Sequence, residues 1–113
     1  NPESFKAAID SLIARDSEEK WIIMGQMGEL GIDSEEHHIN VLKYAESKKI
    51  NKIFLISNHA EMIKKTVKIE INAFKSKEDL IKYIIPMLKS GIDVLVKASR
   101  SMKFESIVKS LKE

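Results

Sequence analysis

The chain has 113 residues, of which 43% are hydrophobic and 32% are charged, and this composition is typical of an ordinary globular domain. A chain of this length is expected to form one domain with one sheet and one core. It is short for a complete enzyme that handles several substrates. We therefore expect residues 1–113 to form a single domain.

Charge and residue usage exclude several classes of protein. The 19 Lys and Arg residues nearly balance the 17 Asp and Glu residues, and only 6% of the chain is aromatic. Nucleic-acid-binding domains normally carry a basic stripe with aromatic side chains among it, so we expect no nucleic-acid partner.

No apolar run approaches the ~20 residues of a membrane span, and the N-terminus lacks a signal-peptide pattern. The absence of cysteine fits a reducing compartment, and the cytoplasm is the expected location.

The first half of the chain predicts two helices, each followed or preceded by a buried strand. Asn1 suits the N-cap and Pro2 the first position of a helix. An apolar strand follows at 21–24, and a second helix begins at Asp33 or Ser34, with Glu36 forming a capping box. A second apolar strand covers 53–56. The inward faces of the two helices are expected to be Phe5, Ala8, Ile9, Leu12 and Ile13 in the first, and His38, Val41, Leu42 and Ala45 in the second.

The second half continues the same alternation. A short helix is predicted over about 59–65, and residues 68–72 alternate between apolar and polar as a half-exposed edge strand does. Ser76 caps a further helix that Pro86 kinks or ends, and a third apolar strand covers 94–96. A last helix begins near 102. The inward faces of these two helices are expected to be Leu80, Ile81, Ile84, Ile85 and Leu88, then Phe104, Ile107, Val108 and Leu111.

Strands that alternate with helices indicate right-handed crossovers and a mainly parallel sheet. We expect a three-layer, Rossmann-like α/β domain of about four strands in the order 3-2-1-4, with helices on both faces. The apolar strands, including 94–96, are expected to be covered on both sides. In such sheets ligands bind beyond the carboxyl ends of the strands at the switch point, here between the first and fourth strands. Residues 25–33 and 97–101 are predicted to meet there.

The segment after the first strand is rich in glycine, at Gly25, Gly28 and Gly31. Its glycines do not follow the G-x-G-x-x-G spacing that presents helix amides to a dinucleotide. The chain also has no G-x-x-x-x-G-K-[ST] segment to hold a triphosphate. A connection chosen for its turn geometry is an equally good interpretation of these glycines.

The segment after the last predicted strand carries Lys97, Ser99 and Arg100. A strand end that leads into a helix offers free amides, and Arg100 adds a planar fork that matches a carboxylate or phosphate. These residues predict an anion site. The alternative is structural: Arg100 pairs with Glu29 and fixes the glycine-rich loop. No histidines and carboxylates have the spacing of metal ligands.

His38 also has two interpretations. It could act as an acid or base, but its position beside Val41, Leu42 and Ala45 on the inward face of a helix favours a packing role.

Several segments of the chain together resemble the C-terminal domain of the Mur ligase family. They occur in the same order from residue 1 to the C-terminus. The segments are Asn1-Pro2-Glu3-Ser4, Met27-Gly28-Glu29-Leu30-Gly31, Ser34-Glu35-Glu36 with His38, and Lys97-Ala98-Ser99-Arg100-Ser101-Met102 with Glu105.

This resemblance implies an enzyme of peptidoglycan synthesis, and hence of cell-wall formation and cell division. Such an enzyme has an N-terminal UDP-substrate domain, a central ATPase domain and this third domain. ATP and Mg²⁺ would be bound mainly outside this chain. The acceptor would be UDP-MurNAc-tripeptide and the incoming component D-Ala-D-Ala, over which the third domain closes. The isolated domain would be inactive and monomeric.

The resemblance also assigns residues. Asn1 matches the end of the family's Asn-Ala-Asn-Pro hinge, beside the nucleotide. Lys97, Ser99 and Arg100 match a Lys-Gly-Ser-Arg motif, for which contact with the dipeptide carboxylate is the implied role. Met27, Glu29 and Gly31 match the loop beside it, and Gly25 is expected to line the same cleft. The departures are Ala98, where the motif has Gly, and Gln26, where the family has an acidic residue. No catalytic residue is implied within this chain.

Two other classes of function remain open at the level of sequence. One is a regulatory or small-anion-binding module such as a phosphoacceptor receiver, although residues 56–58 offer no acidic acceptor after the second strand. The other is a structural domain whose loops dock a partner.

Overall fold

The computed structural model describes residues 2–25, 34–57 and 60–97, and it contains four helices and four strands within them. In chain order these are α1 (Pro2–Ile13), β1 (Glu19–Met24), α2 (Ser34–Ser47), β2 (Lys52–Leu55), α3 (Ala60–Thr66), β3 (Ile71–Ala73), α4 (Lys77–Ile84), a 3-10 turn (Ile85–Met87) and β4 (Ile92–Lys97). The predicted last helix, from about 102, lies outside the described residues.

The strands form one parallel sheet in the order β3-β2-β1-β4. This order is the one predicted from the sequence. The predicted strands were each found, with bounds that differ by one to three residues. β3 differs most, because the Lys68 N–H donates to the Glu46 side chain of α2 at 3.0 Å, and the first ladder bond to β2 is made by the Glu70 carbonyl.

The sheet separates two layers of buried side chains, so the expected single core is divided in two. Helices α1, α2 and α3 cover one face, which we call the front face. Its core consists of Phe5, Ile9, Leu12, Ile22, Met24, Val41, Leu42, Ala45, Ile50, Ile53, Leu55, Ile63 and Val67. Helix α4 covers the opposite back face, where Trp21, Ile23, Phe54, Ile56, Leu80 and Ile84 are buried.

The helix boundaries follow the local sequence signals. Helix α1 begins at Pro2 as predicted, and the predicted N-cap Asn1 lies outside the described residues. Ser76 caps α4 by accepting a hydrogen bond from the Asp79 N–H at 3.1 Å. The chain changes from α to 3-10 geometry at Ile85, directly before Pro86.

One burial prediction was wrong, and a second was confirmed only in part. Ile85 was expected on the inward face of α4, but it is 46% exposed, because the chain leaves α-helical geometry there and its side chain departs from the apolar stripe. The strand 94–96 was expected to be covered on both sides, and Leu95 does pack on the front core while Val94 and Val96 pack on the back one. All six residues of β4 are only half-buried, because β4 is the outer strand of the described sheet, whereas β1 and β2 are flanked by strands on both sides.

Candidate functional site

The carboxyl ends of β1 and β4 lie side by side, as the predicted switch point requires. Met24 and Lys97 are register partners in the parallel pair. One residue further on, the Gly25 N–H donates to the Lys97 carbonyl oxygen at 3.0 Å. The glycine-rich segment and the Lys97 segment therefore leave the sheet as neighbours. We call this end of the sheet the carboxyl edge.

The side of the sheet on which Lys97 lies follows from strand alternation. Val94 and Val96 pack on the back-face cluster, whereas Leu95 packs on the front-face cluster. Because successive side chains alternate, Lys97 lies on the front face with Leu95. Its half-buried position leaves part of the side chain accessible at the carboxyl edge.

Of the predicted site residues, the structure brings together Gly25 and Lys97. Met27, Glu29, Gly31, Ser99, Arg100 and the hinge residue Asn1 lie outside the described residues. The predicted anion site at Arg100 and its alternative, an Arg100–Glu29 ion pair, both depend on those residues and both remain predictions.

Helix α1 brings the start of the chain to the same edge. After the helix, Arg15 Nε lies 2.9 Å from Asp93 Oδ2 near the amino end of β4. Ala8 and Leu12 lie further along, against Leu95, and with Arg15, Ser11, Asp93 and Val94 they line a groove of about 470 Å³. Helix α1 thus runs antiparallel to β4, and Pro2 is at the carboxyl-edge end.

The groove between α1 and β4 was not predicted from the sequence. It lies along the strand, away from the carboxyl edge, and it contains no predicted site residue. The ion pair at its end holds the pKa of Asp93 below its usual value, chiefly through the hydrogen bond from Arg15. The sequence signal for this contact was weak, since an arginine and an aspartate so far apart in the chain show no local spacing. We interpret this ion pair as a structural contact that joins the end of α1 to β4.

His38 is fully buried, with Val41, Leu42 and Ala45 buried on the same face of α2. This agrees with the packing interpretation. An imidazole without exposed surface cannot contact a substrate directly, so the acid–base interpretation is not supported by this arrangement.

Residues 2–25, 34–57 and 60–97 contain no group of three or more His, Cys, Asp or Glu side chains that could hold a metal ion. None of the described helices is long and apolar enough to cross a bilayer.

Comparison with known proteins identifies the family. Residues 1–100 match the family described as "Mur ligase, glutamate ligase domain". UDP-N-acetylmuramoyl-tripeptide–D-alanyl-D-alanine ligase of Rickettsia prowazekii is 31% identical over 110 residues, which cover 96% of this chain and 24% of that protein. The enzyme of the same name from Buchnera aphidicola is 38% identical over 96 residues, covering 81% of this chain and 20% of that protein. The chain thus spans a quarter or less of the length of these relatives.

Solved structures of Mur ligases also resemble this chain. The MurF ligase from Thermotoga maritima, solved in complex with ADP, superposes with a TM-score of 0.81 at 27% identity, covering 99% of this chain and 26% of that one. MurF from Acinetobacter baumannii superposes with a TM-score of 0.78 at 21% identity, covering 98% and 26% of the two chains, and this second likeness supports the fold alone.

Proposed function

Because this chain belongs to the glutamate ligase domain family of the Mur ligases, we propose that it is the C-terminal domain of a ligase that adds D-Ala-D-Ala to UDP-MurNAc-tripeptide. This activity is the one named for the relatives of highest similarity described above. The structural observation that carries the proposal is the Gly25–Lys97 contact, because it joins the two segments that resemble the family's substrate-binding segments at one edge of the sheet.

The proposed reaction has two steps. The terminal carboxylate of the tripeptide attacks the γ-phosphate of ATP, forming an acyl phosphate and releasing ADP. The amine of D-Ala-D-Ala then attacks the acyl carbon, phosphate leaves, and the nitrogen loses a proton as the amide forms. An acyl phosphate is readily hydrolysed, so the domain's contribution would be to align the amine and exclude water by closing over the site.

Lys97, Ser99 and Arg100 are proposed to bind the dipeptide carboxylate. Lys97 contributes a positive charge on the front face of the carboxyl edge, and Arg100 would add a bidentate contact. Gly25, Met27, Glu29 and Gly31 are proposed to form the wall of the cleft beside them. Asn1 is proposed to lie on the nucleotide side of the hinge, and the direction of α1 supports this, because Pro2 is at the carboxyl-edge end.

ATP and Mg²⁺ are proposed to bind mainly upstream of Asn1, in an ATPase domain that this sequence does not contain. The sequence has no G-x-x-x-x-G-K-[ST] segment to hold a triphosphate, and this supports the proposal. The 113-residue chain alone is therefore proposed to be inactive, and the resemblance to the family further implies that it is a monomer. The proposed location is the cytoplasm, as the resemblance to the Mur ligases implies.

The experiment that tests this function uses the complete ligase that contains this domain. The wild-type enzyme should form the pentapeptide product from UDP-MurNAc-tripeptide, ATP and D-Ala-D-Ala. Arg100→Ala should raise KM for D-Ala-D-Ala by about 10- to 150-fold. This corresponds to roughly 1.5–3 kcal/mol, the contribution of one charged hydrogen bond. Arg100→Lys should raise KM to a smaller degree. KM for ATP should not change.

Three outcomes would count against the proposal. An unchanged KM for D-Ala-D-Ala in both variants would assign Arg100 to the structural role of fixing the loop. A wild-type enzyme that does not use D-Ala-D-Ala would refute the proposed activity. Rapid ATP hydrolysis by the purified 113-residue chain would refute the division of labour between domains.

A further inference from the structure

Five lysines that are spread through the sequence come together at the amino end of the sheet, on its front face. Helices α2 and α3 both end there, and the Lys68 N–H donates to the Glu46 side chain of α2 at 3.0 Å, so the two helix ends are neighbours. All five lysines are exposed. We call them the lysine patch, and its members are Lys48, Lys49, Lys64, Lys65 and Lys68.

The positive charge of the lysine patch is not neutralised within the part of the chain that the structure describes. None of the five ammonium groups forms an ion pair with a described residue. The ion pairs found there join other side chains, Lys6 with Glu3, Arg15 with Asp93, and Lys52 with Glu70. The Lys48 ammonium instead lies 5.4 Å from the centre of the Tyr44 ring. The patch therefore presents a concentrated positive charge to its surroundings.

Helix dipoles explain only part of this arrangement. A lysine near the carboxyl end of a helix interacts favourably with the last carbonyls, which accounts for Lys64 and Lys65 in the last turn of α3. Lys49 is different, because its φ of 63° is a conformation that favours glycine. A lysine at this position lowers stability relative to glycine, and its charge is available for a contact outside the domain.

An apolar side chain lies beside these charges. Met62 is 47% exposed, and it precedes Lys65 by three residues on α3, so the two side chains are neighbours on the helix surface. Membrane-binding surfaces combine lysines with apolar side chains that enter the boundary between headgroups and acyl chains. Nucleic-acid-binding surfaces instead place aromatic side chains among the basic ones. An exposed methionine among lysines favours a lipid surface.

We infer that the lysine patch docks the domain on an anionic lipid bilayer. The cytoplasmic leaflet carries a negative surface potential, and each lysine near it strengthens binding about fivefold. This charge complementarity identifies the partner, and the binding goes beyond the proposed function without depending on it.

The position of the lysine patch keeps the proposed binding edge free. Near the end of α2, the Asn51 N–H donates to the Lys20 carbonyl at 2.9 Å. From Lys20 to Met24, the register partner of Lys97, the strand rises about 13 Å. The patch and the carboxyl edge therefore lie at opposite ends of the sheet, and docking on a bilayer leaves the carboxyl edge uncovered.

The test measures cosedimentation of lipid vesicles with the complete protein that contains this domain. Mixed vesicles of phosphatidylglycerol and phosphatidylcholine should bind the protein, and vesicles of phosphatidylcholine alone should not. Lys64→Gln combined with Lys65→Gln should weaken binding to the mixed vesicles about 30-fold, because two lysines are lost. Raising the ionic strength from about 0.1 M to about 1 M should release the wild-type protein, since the Debye length falls from about 10 Å to about 3 Å.

Lys82→Gln combined with Lys89→Gln is the matched control. It removes the same charge from two exposed lysines near α4, on the opposite face of the sheet, and Lys82 also lies in the last turn of its helix. Because the attraction of a lysine to a charged surface falls off within a Debye length, this variant should bind mixed vesicles within about twofold of the wild type.

Three results would overturn the inference: equal binding to both kinds of vesicle, an equal loss of binding in the two double variants, or tighter binding of the wild-type protein to duplex DNA than to mixed vesicles. Vesicle binding uses no substrate, so each of these results leaves the proposed ligase activity intact. A protein that binds mixed vesicles but does not use D-Ala-D-Ala refutes the proposed activity alone.

Discussion

The Gly25 N–H donates to the Lys97 carbonyl oxygen at 3.0 Å, directly beyond the register pair Met24 and Lys97. This bond extends the β1–β4 ladder by one residue past the end of β1. It fixes the separation of the two chain segments at the point where both leave the sheet, so it is the structural basis of the proposed binding edge.

Removal of the Gly25 N–H donor should lower the free energy of unfolding by a measurable amount. Gly25→Pro has no N–H and leaves the Lys97 carbonyl without this partner, so the chain should lose about 1–3 kcal/mol of unfolding free energy relative to Gly25→Ala, which keeps the N–H. Urea unfolding of the two variants measures the difference. Equal stability of Gly25→Pro and Gly25→Ala would show that the bond contributes nothing.

Gly91 adopts a φ of +93°, and its carbonyl accepts hydrogen bonds from the N–H groups of Glu18 and Glu19. Gly91→Ala should lower the unfolding free energy by about 1–2 kcal/mol, because a Cβ is disfavoured at positive φ. A Cβ would also lie 3.2 Å from Glu18 Oε2. Adding Glu18→Ala removes that contact but should leave most of the loss. Full recovery in the double variant would assign the loss to the side-chain contact.

Lys49 is a non-glycine residue at positive φ, 63°, just after α2. This is the helix-terminating position that favours glycine, so Lys49→Gly should raise the unfolding free energy by about 0.5–1 kcal/mol. Lys48→Gly is the control. Lys48 does not adopt a positive φ, and glycine there should destabilise the chain. Thermal unfolding of both variants would reveal opposite shifts, and shifts of the same sign would contradict the prediction.

The Arg15–Asp93 pair predicts an acid-sensitive contribution to stability. Arg15 holds the pKa of Asp93 below its usual value, so the unfolded chain binds a proton at Asp93 at a higher pH than the folded chain does. The contribution is therefore complete above the ordinary pKa of an aspartate. It disappears as the pH falls through the lowered value.

Unfolding measured from pH 6 to pH 2 checks this prediction. Asp93→Asn should lose stability near neutral pH and should decline less steeply in acid than the wild type. Arg15→Ala should reduce the slope in the same way, since it removes the main cause of the lowered pKa. Wild-type slopes in both variants would show that the pair has no such effect.

Much of the fold could be predicted from the sequence, because local signals and long-range packing agree. Pro2 and Ser76 mark helix starts by local chemistry, and the apolar runs at 21–24 and 53–56 are buried as fully as their sequence suggests. The strand order followed from the alternation of strands and helices. These elements needed no knowledge of the partners with which they pack.

The sequence predictions failed where contacts between distant parts of the chain determine the bounds or the burial of an element. The start of β3 depends on Glu46 accepting a hydrogen bond from Lys68, and β4 is half-buried because of its place at the outside of the described sheet. For the candidate site, the sequence placed Gly25 and Lys97 at one edge, and the hydrogen bond between them confirms this placement.

The antiparallel course of α1 along β4 has a mechanical consequence. Any preceding domain is tethered through Pro2, at the end of the molecule where Lys97 and Gly25 lie. If the domain rotates about that tether, points near it travel short arcs, and the amino ends of the strands travel the longest ones. A wide rotation of the domain would therefore move the groups at the carboxyl edge, where the dipeptide is proposed to bind, by only a small distance.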